Sequence, residues 1–172
     1  MTTTQRATQA YEVQPIDPLV VSRLREADDA GLAPRISVDA AGGSPLRCCL
    51  RRSRPGERVA LVAYAPLRGW ALETGADPGP YDEVGPVFIH PEHCSGYAGS
   101  GFPEAFAGER RVLRCYSSDG RIIGGRLAGP DEIHDPAAAG RLLSAIFADP
   151  EVALVHARAL EFGCFTFEIR RR

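Results

Sequence analysis

Two residue types are missing from this chain: among its 172 residues there is neither lysine nor asparagine. All twenty basic side chains are arginine. Without lysine there is no Schiff-base amine and no phosphate-loop lysine, and without asparagine there is no N-glycosylation acceptor. Both missing residues are encoded by A-rich codons, which points to a GC-rich bacterial genome. That bias weakens any argument that a particular arginine was selected over lysine for its fork geometry. A long apolar run is lacking too. The longest, Val59 to Leu67, falls far short of the ~20 residues that cross a bilayer, so no membrane partner is expected. Net charge is small, 20 basic against 22 acidic residues, and gives no electrostatic reason to expect nucleic acid. Met1 to Arg6 leads into no apolar signal core. The five cysteines, an odd number, are therefore expected as free thiols in a reducing cytoplasm.

The remaining composition, 44% hydrophobic and 24% charged, is that of an ordinary globular chain. A disordered lead over residues 1–10 and a single domain over residues 11–172 are expected. Tyr11 to Ile16 alternates as a strand. Asp17-Pro18 and Asp135-Pro136 each read as the N-cap and first residue of a helix. The first helix takes its stripe from Leu19, Val20, Leu24 and Ala27 and closes at Gly31; the second buries Leu142, Leu143, Ile146 and Phe147. Further strands are expected at Arg35 to Ala40, Leu46 to Arg51, Val59 to Tyr64, Tyr81 to His90, Arg111 to Tyr116 and Arg121 to Leu127. Val59 to Tyr64, apolar on both faces, reads as a covered mid-sheet strand. The count predicts an α+β fold, with a mainly antiparallel sheet of about eight strands and two flanking helices.

The terminal stretch, VALVHARALEFGCFTFEIR, sorts into a hairpin by its period of two. Val155, Ala157, Ala159, Phe165, Phe167 and Ile169 take one side. His156, Arg158, Cys164, Thr166 and Glu168 take the other. A three-residue loop ending at Gly163 pairs Ala157 with Phe167, and His156 with Glu168. A histidine opposite a carboxylate is oriented and its charged form favoured. Arg158 beside it suggests a small anionic ligand. His156, Arg158, Glu168 and Cys164, joined by His90 from another strand, are therefore the candidate ligand-binding residues, for a binding domain or a modest enzyme. No catalytic residue is assigned. The bland alternative is a solvated polar pair contributing a few tenths of a kcal/mol. A direct Cys164–His156 pair fails on distance, since the two lie roughly 13 Å apart along the strands.

A second constellation is HPEHC, ending a strand, with Cys48-Cys49 elsewhere. His90, His93, Cys94 and Cys48 are candidate zinc ligands, because zinc takes His and Cys at short spacings. On a strand Cys48 and Cys49 point to opposite faces, so only one of them is expected in any one site. No cofactor is otherwise expected.

The chain resembles the bacterial family known as domain of unknown function 1203. The matching pieces are RPGERVALVAY after PLRCCL, PYDEVGPVFIH, RVLRCYSSDGRII and FADPEVALVHARALEFGCFTFEIRR. The resemblance implies a small cytoplasmic bacterial protein with no established activity. His156, Gly163 and Cys164 match the family's pattern, while Ala159 stands where an asparagine is common. Besides an anion-binding domain, two further readings stay open: an interaction module dimerising through the terminal hairpin, and the zinc-binding protein.

Overall fold

The computed structural model describes residues 10–172, so the lead expected over residues 1–10 lies, except for Ala10, outside the described residues. The class is α+β, but the strands form two sheets of five rather than one of eight, and three α-helices accompany them. The first sheet has the order β1 (Tyr11–Gln14), β10 (Phe165–Arg171), β9 (Leu154–Ala159), β7 (Arg111–Tyr116), β8 (Ile122–Ala128). Every neighbouring pair in it is antiparallel. The second has the order β2 (Arg35–Asp39), β5 (Glu57–Tyr64), β6 (Gly85–Ile89), β3 (Pro45–Leu46), β4 (Arg51–Arg52). Among the described residues its only parallel pair is β3 with β6. β5 is an interior strand, paired on both edges, as its apolar sequence predicts.

Helix α1 (Pro18–Leu24) is capped by Asp17, whose side chain accepts from the N–H groups of Leu19 and Val20. It is shorter than expected and turns Val21 and Leu24 inward, leaving Leu19 exposed. Helix α3 (Pro136–Ile146) is capped by Asp135 through the Ala138 N–H and buries Leu142 and Leu143 as expected. Between them lies α2 (Pro66–Thr74), a helix beyond the two expected. Ala65 supplies no side-chain cap, so the usual start signal is weak. Its punctuation is Pro66 at the first position and Gly75, at φ +76°, as the left-handed C-cap.

The two faces of the first sheet are both covered. On one, Val155, Ala157, Phe167 and Ile169 pack with Leu142, Leu143 and Phe147 of α3. Phe102 and Phe106, from the loop after β6, seat their rings 5.3 and 6.0 Å from Phe167. These loop aromatics are core anchors. On the other face, Phe165 joins Tyr64, Val62, Val87 and Ile89 of the second sheet. The terminal hairpin is thus the middle of a layered core, and β9 is buried along almost its whole length.

Candidate metal centre

The His156–Glu168 register is the expected one, but its surroundings are not. His156 has no solvent exposure, because the second sheet covers the side expected to be open. The same layer covers the side expected to serve as a dimer seam. The imidazole lies between Tyr116 (4.7 Å between ring centroids) and Phe165 (5.1 Å, edge-on). Neither of its nitrogens makes a hydrogen bond. Glu168 Oε2 is 3.9 Å from Nε2, beyond hydrogen-bond range, and Glu168 instead accepts from Arg170 Nε at 2.7 Å. Burial, then Arg158, Arg114 and Arg170, push the His156 pKa well down, so the ring is neutral. Burial pushes Glu168 up to about 7. This is not an ion pair.

Two further expectations about the hairpin change. Phe165 shares the His156 side because the register shifts between Phe165 and Phe167, a bulge that moves one residue to the other face. The loop is also longer by one residue, since Ala159 N–H donates to Cys164 O; Gly163 keeps its positive φ of 67°. Arg158 is committed to Gly163 O at 2.7 Å and to Glu83. Cys164 is half-buried at the hairpin mouth.

His90 lies in the second sheet's environment, away from that group, and the sulfurs gather around it. The expected strand from Leu46 to Arg51 is instead two short strands joined by a tight turn over residues 47–50. Leu50 N–H closes the turn on Leu46 O at 2.9 Å. Leu50 itself has φ +54°, alone among the described non-glycine residues in being positive. That conformation costs roughly 1–2 kcal/mol, and burial of the Leu50 side chain in the first core cluster offsets it. The turn overrides the alternation of a strand, so Cys48 and Cys49 do point into one site. Their sulfurs stand 3.3 and 3.7 Å from His90 Nδ1.

Cys94 completes the group from the loop after β6. One donor atom from each of Cys48, Cys49, His90 and Cys94 lies within 4.8 Å of every other. Zinc with bonds of 2.0–2.3 Å to nitrogen and sulfur needs tetrahedron edges of about 3.5–3.8 Å, so only small adjustments separate this cluster from a ligand shell. His93, an expected ligand, is exposed and outside the group, although it borders the adjoining cleft of about 490 Å³.

What surrounds the donors is as informative as the donors. His90 Nε2 lies 3.0 Å from Glu57 Oε1, and Glu57 is clamped by both terminal nitrogens of Arg51. Arg51, the Arg54 N–H and His90 hold the Glu57 carboxyl well below its usual range, so it is ionised. A carboxylate behind one ring nitrogen puts a proton there and turns the lone pair of the other toward a metal. Arg51 Nη2 is also 2.8 Å from Nε2; that contact is a hydrogen bond only in the other tautomer, with Nδ1 protonated toward a cysteine sulfur. His90 N–H donates to Cys48 Sγ at 3.2 Å. The mutual hydrogen bond of Cys48 and Cys49 raises the first thiol and lowers the second. Arg25 holds the loop by donating to the carbonyls of His90 and Glu92 at 3.0 and 2.6 Å.

Sequence reasoning missed Cys49, Glu57 and Arg51. The H-x₃-C spacing of His90 and Cys94 is a ligand spacing legible in the chain; the turn that adds Cys49 leaves no comparable mark.

Fold and site together define a protein of two packed sheets with a Cys₃His cluster at the rim of the second. The chain belongs to the DUF1203 family, described as a protein of unknown function, whose model matches residues 43–171. That span contains all four donors and Glu57. Comparisons with curated proteins and with solved structures gave no match.

Proposed function

We propose that the protein binds zinc in a closed Cys₃His site that fastens the β3–β4 turn to the loop after β6. The observation that carries this reading is the pairing of converged donors with a Glu57-backed His90. Four protein donors leave no open coordination position, which is the pattern of a structural rather than a catalytic site. The ion stabilises where the backbone alone is weak. β3 and β4 have two residues each, and the loop from Pro91 to Gly101 carries no regular element. The ion offsets two of the three thiolate charges, and the site releases protons as it fills.

Cobalt substitution tests it. Cobalt(II) in the reduced protein is expected to give tetrahedral d–d bands and a sulfur charge-transfer band. That band should weaken by about a third in each of Cys48→Ser, Cys49→Ser and Cys94→Ser. A six-coordinate spectrum, or bands indifferent to all three substitutions, rejects the site.

A further inference from the structure

A second site lies where the edge of the second sheet faces the mouth of the terminal hairpin. The two enclose a cleft of about 610 Å³, within the size range of small-molecule sites. Its walls divide by chemistry. Leu61 and Phe88, paired neighbours on β5 and β6, form an apolar wall with Phe162 of the hairpin loop. Arg47, Arg52 and Arg111 line the polar side, together with Ser44, Glu109 and Thr166.

Arg47 is the anomaly. It is 3% exposed, and its hydrogen bonds run to two neutral carbonyls, Nε to Phe165 O at 2.8 Å and Nη1 to Pro45 O at 2.5 Å. Among the described residues no carboxylate pairs with it. Arg52 and Arg111 line the same cleft and add two further cations. A guanidinium keeps its charge at neutral pH. Arg52 and Arg111 share a single carboxylate, Glu109. Arg111, 4% exposed, also leaves its buried Nε without a partner. A buried cation without an anion is costly, and proteins resolve that cost by pairing. Three cations here face Glu109 and the loop residue Glu161, so one negative charge balances the cleft.

We propose that this cleft binds a small organic monoanion, its carboxylate against Arg47 and Arg111 and its apolar body along Leu61, Phe88 and Phe162. Arginine presents the planar, two-pronged donor geometry that a carboxylate accepts. The single balancing charge favours a carboxylate over a phosphate dianion. Phe162, 84% exposed at the hairpin tip, gains an apolar neighbour when the cleft fills. The site shares no residue with the metal cluster, although Arg47 belongs to the turn that carries Cys48 and Cys49.

The test is calorimetric titration of the reduced, zinc-supplemented protein with octanoate, phenylacetate, octanol and inorganic phosphate. Saturable one-to-one binding of octanoate or phenylacetate is expected, with a dissociation constant below about 1 mM. Octanol and phosphate should bind at least tenfold more weakly. Arg47→Gln should weaken carboxylate binding by roughly tenfold or more, through loss of charge-assisted hydrogen bonds. Because Arg47 also supports the fold, Leu61→Trp serves as the second variant: it fills the apolar wall and should abolish binding with the melting temperature and metal content unchanged. The inference is overturned if neither carboxylate binds at about 1 mM, if octanol binds as well as octanoate, or if a folded Leu61→Trp protein binds like the wild type.

Discussion

Two buried histidines sit beside carboxylates in this molecule, and they teach opposite lessons. His90 has a thiol side and a carboxylate side, with Glu57 at 3.0 Å behind one nitrogen and two cysteine sulfurs before the other. His156 is wrapped in Tyr116 and Phe165, with both nitrogens unbonded and Glu168 at 3.9 Å. The first ring is oriented by polar groups and can hold an ion. The second is held by packing, neutral, and reached by nothing outside. A histidine facing a carboxylate in register is therefore not itself a site; a site needs a partner for the second nitrogen and a route to it.

The comparison breaks most visibly through metal removal. An ion bound at a thousand times its dissociation constant adds about 4 kcal/mol, and 1 kcal/mol shifts the melting temperature of a chain this size by about 2–4 °C. A strong chelator should therefore lower the melting temperature by roughly 10 °C, measured by scanning calorimetry under reducing conditions, with zinc restoring it. No shift would leave His90 as inert as His156. Next comes the carboxylate behind the ring. Glu57→Gln should reduce zinc affinity by roughly 10–100-fold, read by competition with a chromophoric chelator, while Glu168→Gln should leave zinc affinity unchanged.

A smaller effect is expected at the sealed histidine. His156→Leu removes two buried polar atoms that lack partners, each of which costs about 1–3 kcal/mol, and keeps most of the volume. The folded protein should gain roughly 1–2 kcal/mol in denaturant unfolding and keep its full zinc content. A loss of more than 2 kcal/mol would mean that the imidazole has a bonding role which the geometry does not provide.

The most diagnostic effect is a slope in pH. His156 has its folded pKa depressed far below 6.5, so the unfolded chain binds the extra proton and stability falls as pH drops below 6.5. Glu168 is raised from 4.5 to about 7. There the folded state holds the extra proton, and the stability it adds is complete below 4.5 and lost as pH rises to 7. Between pH 4.5 and 6.5 the two slopes oppose each other. Replacing Glu168 by Gln should therefore expose a fall of about 1.4 kcal/mol per unit as pH drops through that window, relative to wild type. His156→Leu should expose a rise of the same slope. Parallel profiles in all three proteins would contradict the assigned directions.

Much of the fold was legible because its signals are local. Asp17-Pro18 and Asp135-Pro136 start helices as read, Gly163 takes the left-handed position, and Ala157 faces Phe167. The division into two sheets was not legible, since alternation along β9 says which residues share a side and nothing about what covers it. His156, Thr166 and Glu168 look like a wet face in sequence and lie under a second sheet in space. The candidate metal centre shows the same limit in reverse. His90, Cys94 and Cys48 were legible as types and spacings, whereas Cys49 was set aside by a strand rule that one left-handed leucine suspends.

The most direct measurement is the zinc content of the chain purified without a histidine tag, under reducing conditions and with zinc supplied during expression. About one zinc per chain is expected, falling toward zero in His90→Ala and staying at one in His156→Leu. A well-folded protein with a molar ratio near zero would contradict the proposed site.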